Sequence, residues 1–479
     1  MKFYNRKKEL EILETHWKNS EEHLILDVLY GRRRVGKTEL IKRFSRNKPF
    51  WYFFVDRKPL PELLAEWSGI LSEKIGGGGI YPTLGKFLEA LFHFTNQKKP
   101  VIMFDEFQNF KYIYPPAFSE FQHYIDDYTL ISGKKSKGVL VLAGSVITMM
   151  KQIFCRYSEP LFGRASGRFG VRPFDFPLSF KILKDLNFLK FKNAFDLFTL
   201  FNGVPAYYKI IEERNLQDAS LEQVILKLFI EKNSLLRDEG HFLVQEAFGQ
   251  DFERYFNILS LIARGKTRLT EIAGAMKIEA SKVSVYLNRL EKNFEFIERR
   301  LPIFAKQESN LGRYYLKDIT LTFWFRYIYP NLSLIEGGLG DLVIKKIQED
   351  FSNYQGLVLE PIVQSMLMQK LKQGSLPVKG LPKFGRYWGA KAEIDIVIGE
   401  EDRREEILLG EIKLNNKRIT KSLIADLKRK AGMVKEFKNY KKIKFAVVTL
   451  EKLSLEQKRM LKQEDVWFIS LEDWASKTH

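Results

Sequence analysis

Cysteine is nearly absent: the 479 residues include one, Cys155. No disulfide can close within the chain, and no cysteine-based metal site can form. The six histidines are scattered, with no HExxH motif and no His/Cys cluster, which argues against zinc chemistry. No apolar run approaches the roughly 20 residues that span a bilayer. The opening MKFYNRKKEL lacks the apolar stretch of a signal peptide. A reducing cytoplasm is therefore the expected compartment. Acidic residues are outnumbered: 59 Asp and Glu stand against 78 Lys and Arg, a formal net charge of +19. Such a balance favours nucleic acid, an anionic membrane face or an acidic protein as partner without choosing among them, and generic solubility charge fits it equally well. What is present is ordinary for a globular chain: 45% hydrophobic and 14% aromatic residues, enough for several cores, over a length that suggests about three domains.

The apolar runs are short and bounded. LILDVLYG (24–31) leads into RRRVGK and then TELIKRF, the order strand, turn, helix. WYFFV (51–55) reads as a second buried strand by its aromatic and β-branched content. PVIMFDEF (100–107) and GVLVLAGS (138–145) are continuous apolar runs, the pattern of strands buried on both faces of a parallel sheet. GGGG (76–79) marks a loop. Strands alternating with helices over residues 1–175 give α/β with right-handed crossovers. After VRPFDF (171–176) the period is helical to residue 260, with a break at NGVP (202–205).

Gly31-Arg32-Arg33-Arg34-Val35-Gly36-Lys37-Thr38 matches GxxxxGK[ST] between a strand and a helix, the context that gives this pattern its meaning. The glycines let backbone N–H groups curl around phosphates at a helix N-terminus. Lys37 is placed to reach the β- and γ-phosphates of ATP, and the Thr38 hydroxyl to ligate Mg²⁺. VIMFDE then sets Asp105 and Glu106 at the end of a buried strand. Asp105 suits the metal, directly or through water; Glu106 suits activation of the attacking water, with a structural carboxylate as the plainer alternative. Ser145 ends the next strand, where its hydroxyl could meet the γ-phosphate or the water, or cap a helix. Arg164 and Arg168 lie in PLFGRASGRFG. Either could stabilise charge on the γ-phosphoryl, from its own chain or from a neighbouring copy in a homo-oligomer; a surface ion pair serves as well.

Residues 255–318 read as three helices and a two-stranded wing, the winged-helix pattern. The second helix is opened by Thr267 or Thr270. Ser281, Lys282, Ser284, Tyr286, Asn288, Arg289 and Lys292 give the third helix a polar face, and Arg299, Arg300, Lys306 and Arg313 flank the wing. Such a helix can enter a major groove while the wing holds phosphate, or the module can serve as a protein contact. YPNLSLIEGGLG (329–340) reads as a linker. Beyond it, Asp395 in EIDIVIG and Glu411 and Lys413 in ILLGEIKL form a D…ExK arrangement on two strands that can pair across a polar turn. Residues two apart share a strand face, so Glu411 and Lys413 point the same way. Asp395 and Glu411 could bind Mg²⁺, with Lys413 positioning hydroxide and Glu360 adding a fourth polar group. A silent DNA-binding remnant and a plain hairpin fit the same residues.

YNRKKEL (4–10), YGRRRVGKTEL, VIMFDEFQ, LAGS, PLFGR and FNGVPAYY together resemble the archaeal-type ATPase family within the AAA/STAND group of P-loop ATPases. Trp388-Gly389 with EID resembles the restriction-endonuclease-like domain often fused to that family. The resemblance implies an ASCE-type parallel sheet at 1–175, a helical lid at 176–250, a winged helix at 251–328 and an α/β restriction-endonuclease-like domain at 341–479. It implies that Tyr4, Asn5 and Arg6 lie near the adenine, and that Gly203-Val204-Pro205 shapes the lid side of the pocket. It implies a cytoplasmic ATPase using ATP and Mg²⁺, with hydrolysis moving the lid. Nucleic acid is the expected partner of the end domains, or else a protein bound by a silent one.

Overall fold

A computed structural model describes residues 2–128, 136–248, 252–378, 380, 382–400 and 404–478. The chain resolves into two compact units, residues 1–173 with 204–206, and 174–203 with 207–479. The expected boundary at 250/251 lies outside the described residues.

In the first unit β1 (Ile25–Tyr30), β2 (Phe50–Phe54), β3 (Val101–Asp105), β4 (Val139–Gly144) and β5 (Gly167–Gly170) form one sheet in the order β2-β3-β4-β1-β5. Every pairing is parallel. The continuous apolar runs explain this, because strand side chains alternate and both faces are covered. Ile102, Phe104, Leu140 and Leu142 join one core with Trp51, Phe53, Trp67 and Phe87. Val101, Met103, Val139 and Val141 join the other with Leu13, Leu40, Ile41 and Phe44. β5 was not foreseen: GRFG is an edge strand with two glycines and one buried side chain, Phe169.

The second unit starts with helices Phe176–Asp185, Phe191–Phe201 and Glu239–Phe248. Helices Phe252–Ala263, Leu269–Met276 and Ala280–Asn288 follow, then an antiparallel ribbon of β6 (Ile297–Arg300) and β7 (Arg313–Leu316). Neither Thr267 nor Thr270 opens Leu269–Met276 with its hydroxyl. Instead the Glu271 carboxylate reaches back to accept from the backbone N–H groups of Thr267 and Arg268, both at 3.0 Å, which satisfies donors that a helix start leaves open. The expected linker is folded. Leu332–Glu336 is helical, and after Gly337-Gly338 a 33-residue helix runs Gly340–Lys372.

The C-terminal sheet holds β8 (Lys383–Trp388), β9 (Glu393–Gly399), β10 (Glu406–Lys413), β11 (Lys442–Thr449) and β12 (Val466–Ser470) in the order β12-β11-β10-β9-β8. β8, β9 and β10 pair antiparallel, while β10, β11 and β12 pair parallel. The β6–β7 connection packs on this sheet. The Ile303 N–H donates to the Arg386 carbonyl at 2.9 Å, the Trp388 indole N–H donates to the Leu311 carbonyl at 3.0 Å, and Phe304 meets Phe437.

One buried charge sits inside the first sheet. Asp27 of β1 is fully buried, and its two carboxylate oxygens lie 2.8 and 3.0 Å from His16 Nδ1. The bond to Asp27 raises the His16 pKa, and burial raises that of Asp27. Both raised groups hold a proton more tightly when folded, so the stability they contribute is complete at low pH and is lost as pH rises through the folded values. Protection of the β1 amides in hydrogen exchange should therefore decline as pH climbs above the ordinary histidine range, after correction for intrinsic exchange. His16→Leu should cost about 3–5 kcal/mol by stranding the carboxylate, and His16→Leu/Asp27→Leu should recover most of it.

Candidate nucleotide site and the C-terminal carboxylates

Gly36 has φ +89°, in the left-handed region, and the helix Lys37–Phe44 begins directly after it. That conformation is easy for glycine and strained for other residues. Gly31 is needed for another reason: a Cβ there would lie 2.2 Å from the backbone carbonyl oxygen of Val171. The first glycine is thus demanded by the chain just past β5 packing against the loop as well as by any phosphate. Val35 is buried and fastens the middle of the loop into the core below β1.

The loop, β3 and β4 bring the expected site residues together. Lys37 Nζ donates to the Gly31 carbonyl at 2.8 Å and to the Arg32 carbonyl at 3.3 Å. The Thr38 hydroxyl donates to Asp105 Oδ2 at 2.7 Å. Burial raises the Asp105 pKa, opposed by the Thr38 bond. Glu106 takes a left-handed backbone, φ +57°, a strained setting of the kind that concentrates at functional sites. Its Oε2 accepts from the Ser145 hydroxyl at 2.6 Å, from Gln108 Nε2 at 2.5 Å and from the Ser145 N–H at 3.3 Å. The following helix starts at Ile147 with Val146 at its N-cap, and the Ser145 hydroxyl is turned to Glu106 instead.

Two participants escaped the sequence reading. The Tyr52 hydroxyl on β2 donates to Asp105 Oδ2 at 3.2 Å, and burial followed by the Asp105 charge pushes its pKa up. Gln108 sits between Glu106 and Ser145. For Gln108 the run DEFQ was the available signal; for Tyr52 there was none, because a tyrosine in an aromatic strand looks like core.

The remaining residues are placed differently. Arg6 is buried at a left-handed backbone and donates to the carbonyls of Arg172 at 2.6 Å and Val35 at 3.4 Å. Burial lowers its pKa. Arg6 therefore ties the N-terminal segment to the loop and the end of β5. Asn5 is exposed, with φ +55°, and Arg33 is exposed while Arg32 and Arg34 are half-buried. Arg164 is held by Asp126 through two 2.7 Å bonds and by the Pro160 carbonyl at 2.6 Å, which makes the ion-pair alternative the one its geometry fits. Arg168 is exposed on β5, with Nη1 3.3 Å from Cys155 Sγ.

The C-terminal carboxylates are brought to adjacent strands, since Gly410 pairs with Ile396 beside Glu411 and Asp395. Their charges are already met. Arg386 bonds Glu360, and also Glu393 and Asp395, each at 3.2 Å. Asp395 Oδ2 accepts from the Ile412 N–H at 3.1 Å. Glu411 is paired with Lys413 at 2.5 Å and Lys430 at 3.1 Å. Burial raises the Glu360 pKa, opposed by Arg386. Among the described residues no three His, Cys, Asp or Glu side chains are grouped to hold a metal. Three of the four expected wing cations are likewise committed. Arg299 bonds the Gln307 carbonyl at 2.8 Å, Arg300 bonds Glu298 at 2.6 Å and lies 3.8 Å from Glu360, and Arg313 pairs with Glu393 at 3.1 Å. These partners turn them toward the protein rather than toward a phosphate backbone.

The uncharacterized protein MJECL04 of Methanocaldococcus jannaschii is 33% identical over 441 residues, 90% of this chain and 92% of its own length. The chain belongs to the family of that protein. The uncharacterized ATP-binding protein MJ0423 of the same organism is 61% identical over 46 residues, 10% of this chain and 75% of its own length. Residues 324–424 match a family described as archaea bacterial proteins of unknown function. Among solved structures, the Walker-type ATPase paby2304 of Pyrococcus abyssi superposes with a TM-score of 0.52 at 20% identity, covering 68% of this chain and 96% of that one. The two share the fold of a P-loop ATPase, mixed α/β with a parallel five-stranded sheet. Among the described residues no helix is long and apolar enough to cross a membrane.

Gly31→Ala should destabilise the first unit by about 1–3 kcal/mol, the usual cost of forcing an atom into packed backbone. Urea denaturation without nucleotide measures it. A loss seen only when nucleotide is present would assign the glycine to phosphate alone.

Proposed function

We propose that this protein binds and hydrolyses ATP with Mg²⁺, and that its second unit engages nucleic acid without cutting it. The first part rests on one observation above all: the Thr38 hydroxyl and the Asp105 carboxylate meet at 2.7 Å beside the N-terminus of the helix that carries Lys37. These are hard oxygen donors suited to Mg²⁺, which when bound would neutralise charge on the phosphate oxygens. The loop amides and Lys37 hold the β- and γ-phosphates. Glu106 Oε2 is held by Ser145 and Gln108, which aims the carboxylate. Glu106 takes a proton from water as the water oxygen attacks the γ-phosphorus. The bond from that phosphorus to the bridging oxygen breaks, giving ADP and inorganic phosphate. The ATP-binding name of one relative and the Walker-type name of the structural neighbour support the same reading.

The second part follows from Arg386. A guanidinium bridging Glu360, Glu393 and Asp395 supplies the positive charge a metal would bring, which favours a catalytically silent nuclease-like domain. Three helices and a ribbon beside it have the winged-helix order, and Lys282 is exposed on the third helix. ATP turnover regulated by a bound nucleic acid is the function that joins these parts.

Lys37→Ala should abolish measurable ATP binding. Glu106→Gln should retain ATP in equilibrium dialysis while turnover falls about 10²–10⁴-fold, the usual share of a general base. Turnover undiminished by Glu106→Gln would remove that residue from its role. Nucleic acid incubated with Mg²⁺ or Mn²⁺ and ATP should stay intact. Cleavage by the wild type that disappears in both Asp395→Ala and Lys413→Ala would instead restore a working nuclease.

A further inference from the structure

Helix Leu455–Gln463 stands on the C-terminal sheet as a ridge. Leu461 is buried, whereas Leu455, Glu456, Arg459, Lys462 and Gln463 are exposed, a spacing of three and four that puts them on one helical face. A groove runs along each side. One, of about 900 Å³, is lined by Lys370, Lys458, Lys462 and Lys477. The other, of about 910 Å³, is lined by Lys417, Lys421 and Lys452. Arg459 lines both. Against these eight cations the two grooves carry two carboxylates, Asp473 and Glu456.

One of the eight cations has an ion-pair partner among the described residues, and Lys421 acts at longer range on Glu464. Lys452 lies 3.6 Å from Glu472. The other seven make no ion pair within 4 Å among the described residues. Nearby lysines show how easily this chain pairs its charges: Lys428 with Glu464 at 2.8 Å and Lys430 with Glu411 at 3.1 Å. Like charges gathered on a concave surface repel one another and focus a positive potential, which a polyanion relieves. Phosphates lying in the two channels would release condensed counterions, the main source of affinity for nucleic acid.

We propose that this ridge and its two grooves bind duplex nucleic acid, the helix entering the major groove and one phosphate backbone lying in each channel. The proposal rests on the reading that nucleic acid is the partner, and names where it binds. The dimensions agree: a helix with its side chains is about 10–12 Å across, and the B-form major groove is about 12 Å wide. The flanking cations then face the two strands, and Arg459 and Leu455 on the crest face the base edges. A single strand fits less well, because it is held by bases stacked on open aromatic faces. Here Trp474 is buried with its indole N–H on Gln369 at 3.0 Å, and Phe468 is half-buried. An anionic bilayer fits less well too, since a surface-lying helix needs a broad apolar face and this crest exposes one leucine.

The test measures binding of the full chain to three probes by anisotropy or sedimentation over a series of salt concentrations. They are a duplex longer than two helical turns, a single strand of equal length, and phosphatidylserine-containing vesicles. The duplex should bind tightest. Lys421→Ala/Arg459→Ala/Lys462→Ala should weaken it at least about 10-fold and lower the log–log salt slope by nearly three, close to one per phosphate contact. The equally discharged Lys209→Ala/Lys227→Ala/Lys232→Ala should stay within about threefold of wild type. Thermal unfolding of the full chain, unchanged in both variants, reports that each is folded. If the wild type binds duplex but both variants weaken alike, or neither does, this surface is refuted while the wider reading stands. If the wild type prefers single strand, the duplex geometry fails. If it binds vesicles alone, or no probe, the surface and the nucleic-acid reading fall together.

Discussion

The hydrogen bond from Thr38 to Asp105 joins the first turn of the helix behind the phosphate loop to the tip of β3. Those two points are far apart in sequence, and they coincide because β4 separates β1 from β3 in the sheet. The order β2-β3-β4-β1-β5 thus does chemical work. It sets the loop at the tip of β1, the acidic pair at the tip of β3, and Ser145 at the tip of β4 between them. Apolar side chains on both faces of β3 and β4 hold these three tips in register. Without that rigid support, a carboxylate as deeply set as Asp105 would be expensive to keep.

Some of the chain's left-handed non-glycine residues fall at this site. Arg34 and Glu106 adopt left-handed backbones, as do Asn5 and Arg6 on the segment that reaches the loop. None is glycine, so each carries a cost that its surroundings offset. For Arg6 the compensation is visible in the bonds to the Val35 and Arg172 carbonyls. For Glu106 it is the pair of donors from Ser145 and Gln108.

The parts legible in the sequence were those fixed by local physics. β1, β3 and β4 announce themselves because burial on both faces demands unbroken apolar runs, and the edge strand β2 does so by its aromatic content. The phosphate loop announces itself because turn, lysine and hydroxyl must stand at fixed offsets. β5 was hidden because an edge strand with glycines at both ends has no such run, although Val171 beyond it explains why Gly31 must be glycine. Tyr52 was hidden because its ring belongs to the core while only its hydroxyl reaches Asp105. The C-terminal carboxylates were seen, but not their neutralisation, since no spacing rule links Arg386 on β8 to Glu360 on a preceding helix. The partners of the ribbon cations were hidden for the same reason: a sequence shows which arginines flank a turn, not which carboxylates wait across the fold.

The docking of the β6–β7 connection has a practical side. Ile303 and Phe304 pack with Tyr387 and Phe437, and Trp388 is fastened to Leu311. The ribbon and the C-terminal sheet therefore share one apolar seam. Ending the polypeptide after the ribbon would strip that seam from one side and leave isoleucine and phenylalanine in water, an invitation to aggregate. Dissection of this molecule at residue 340 cuts through a core, not through a tether.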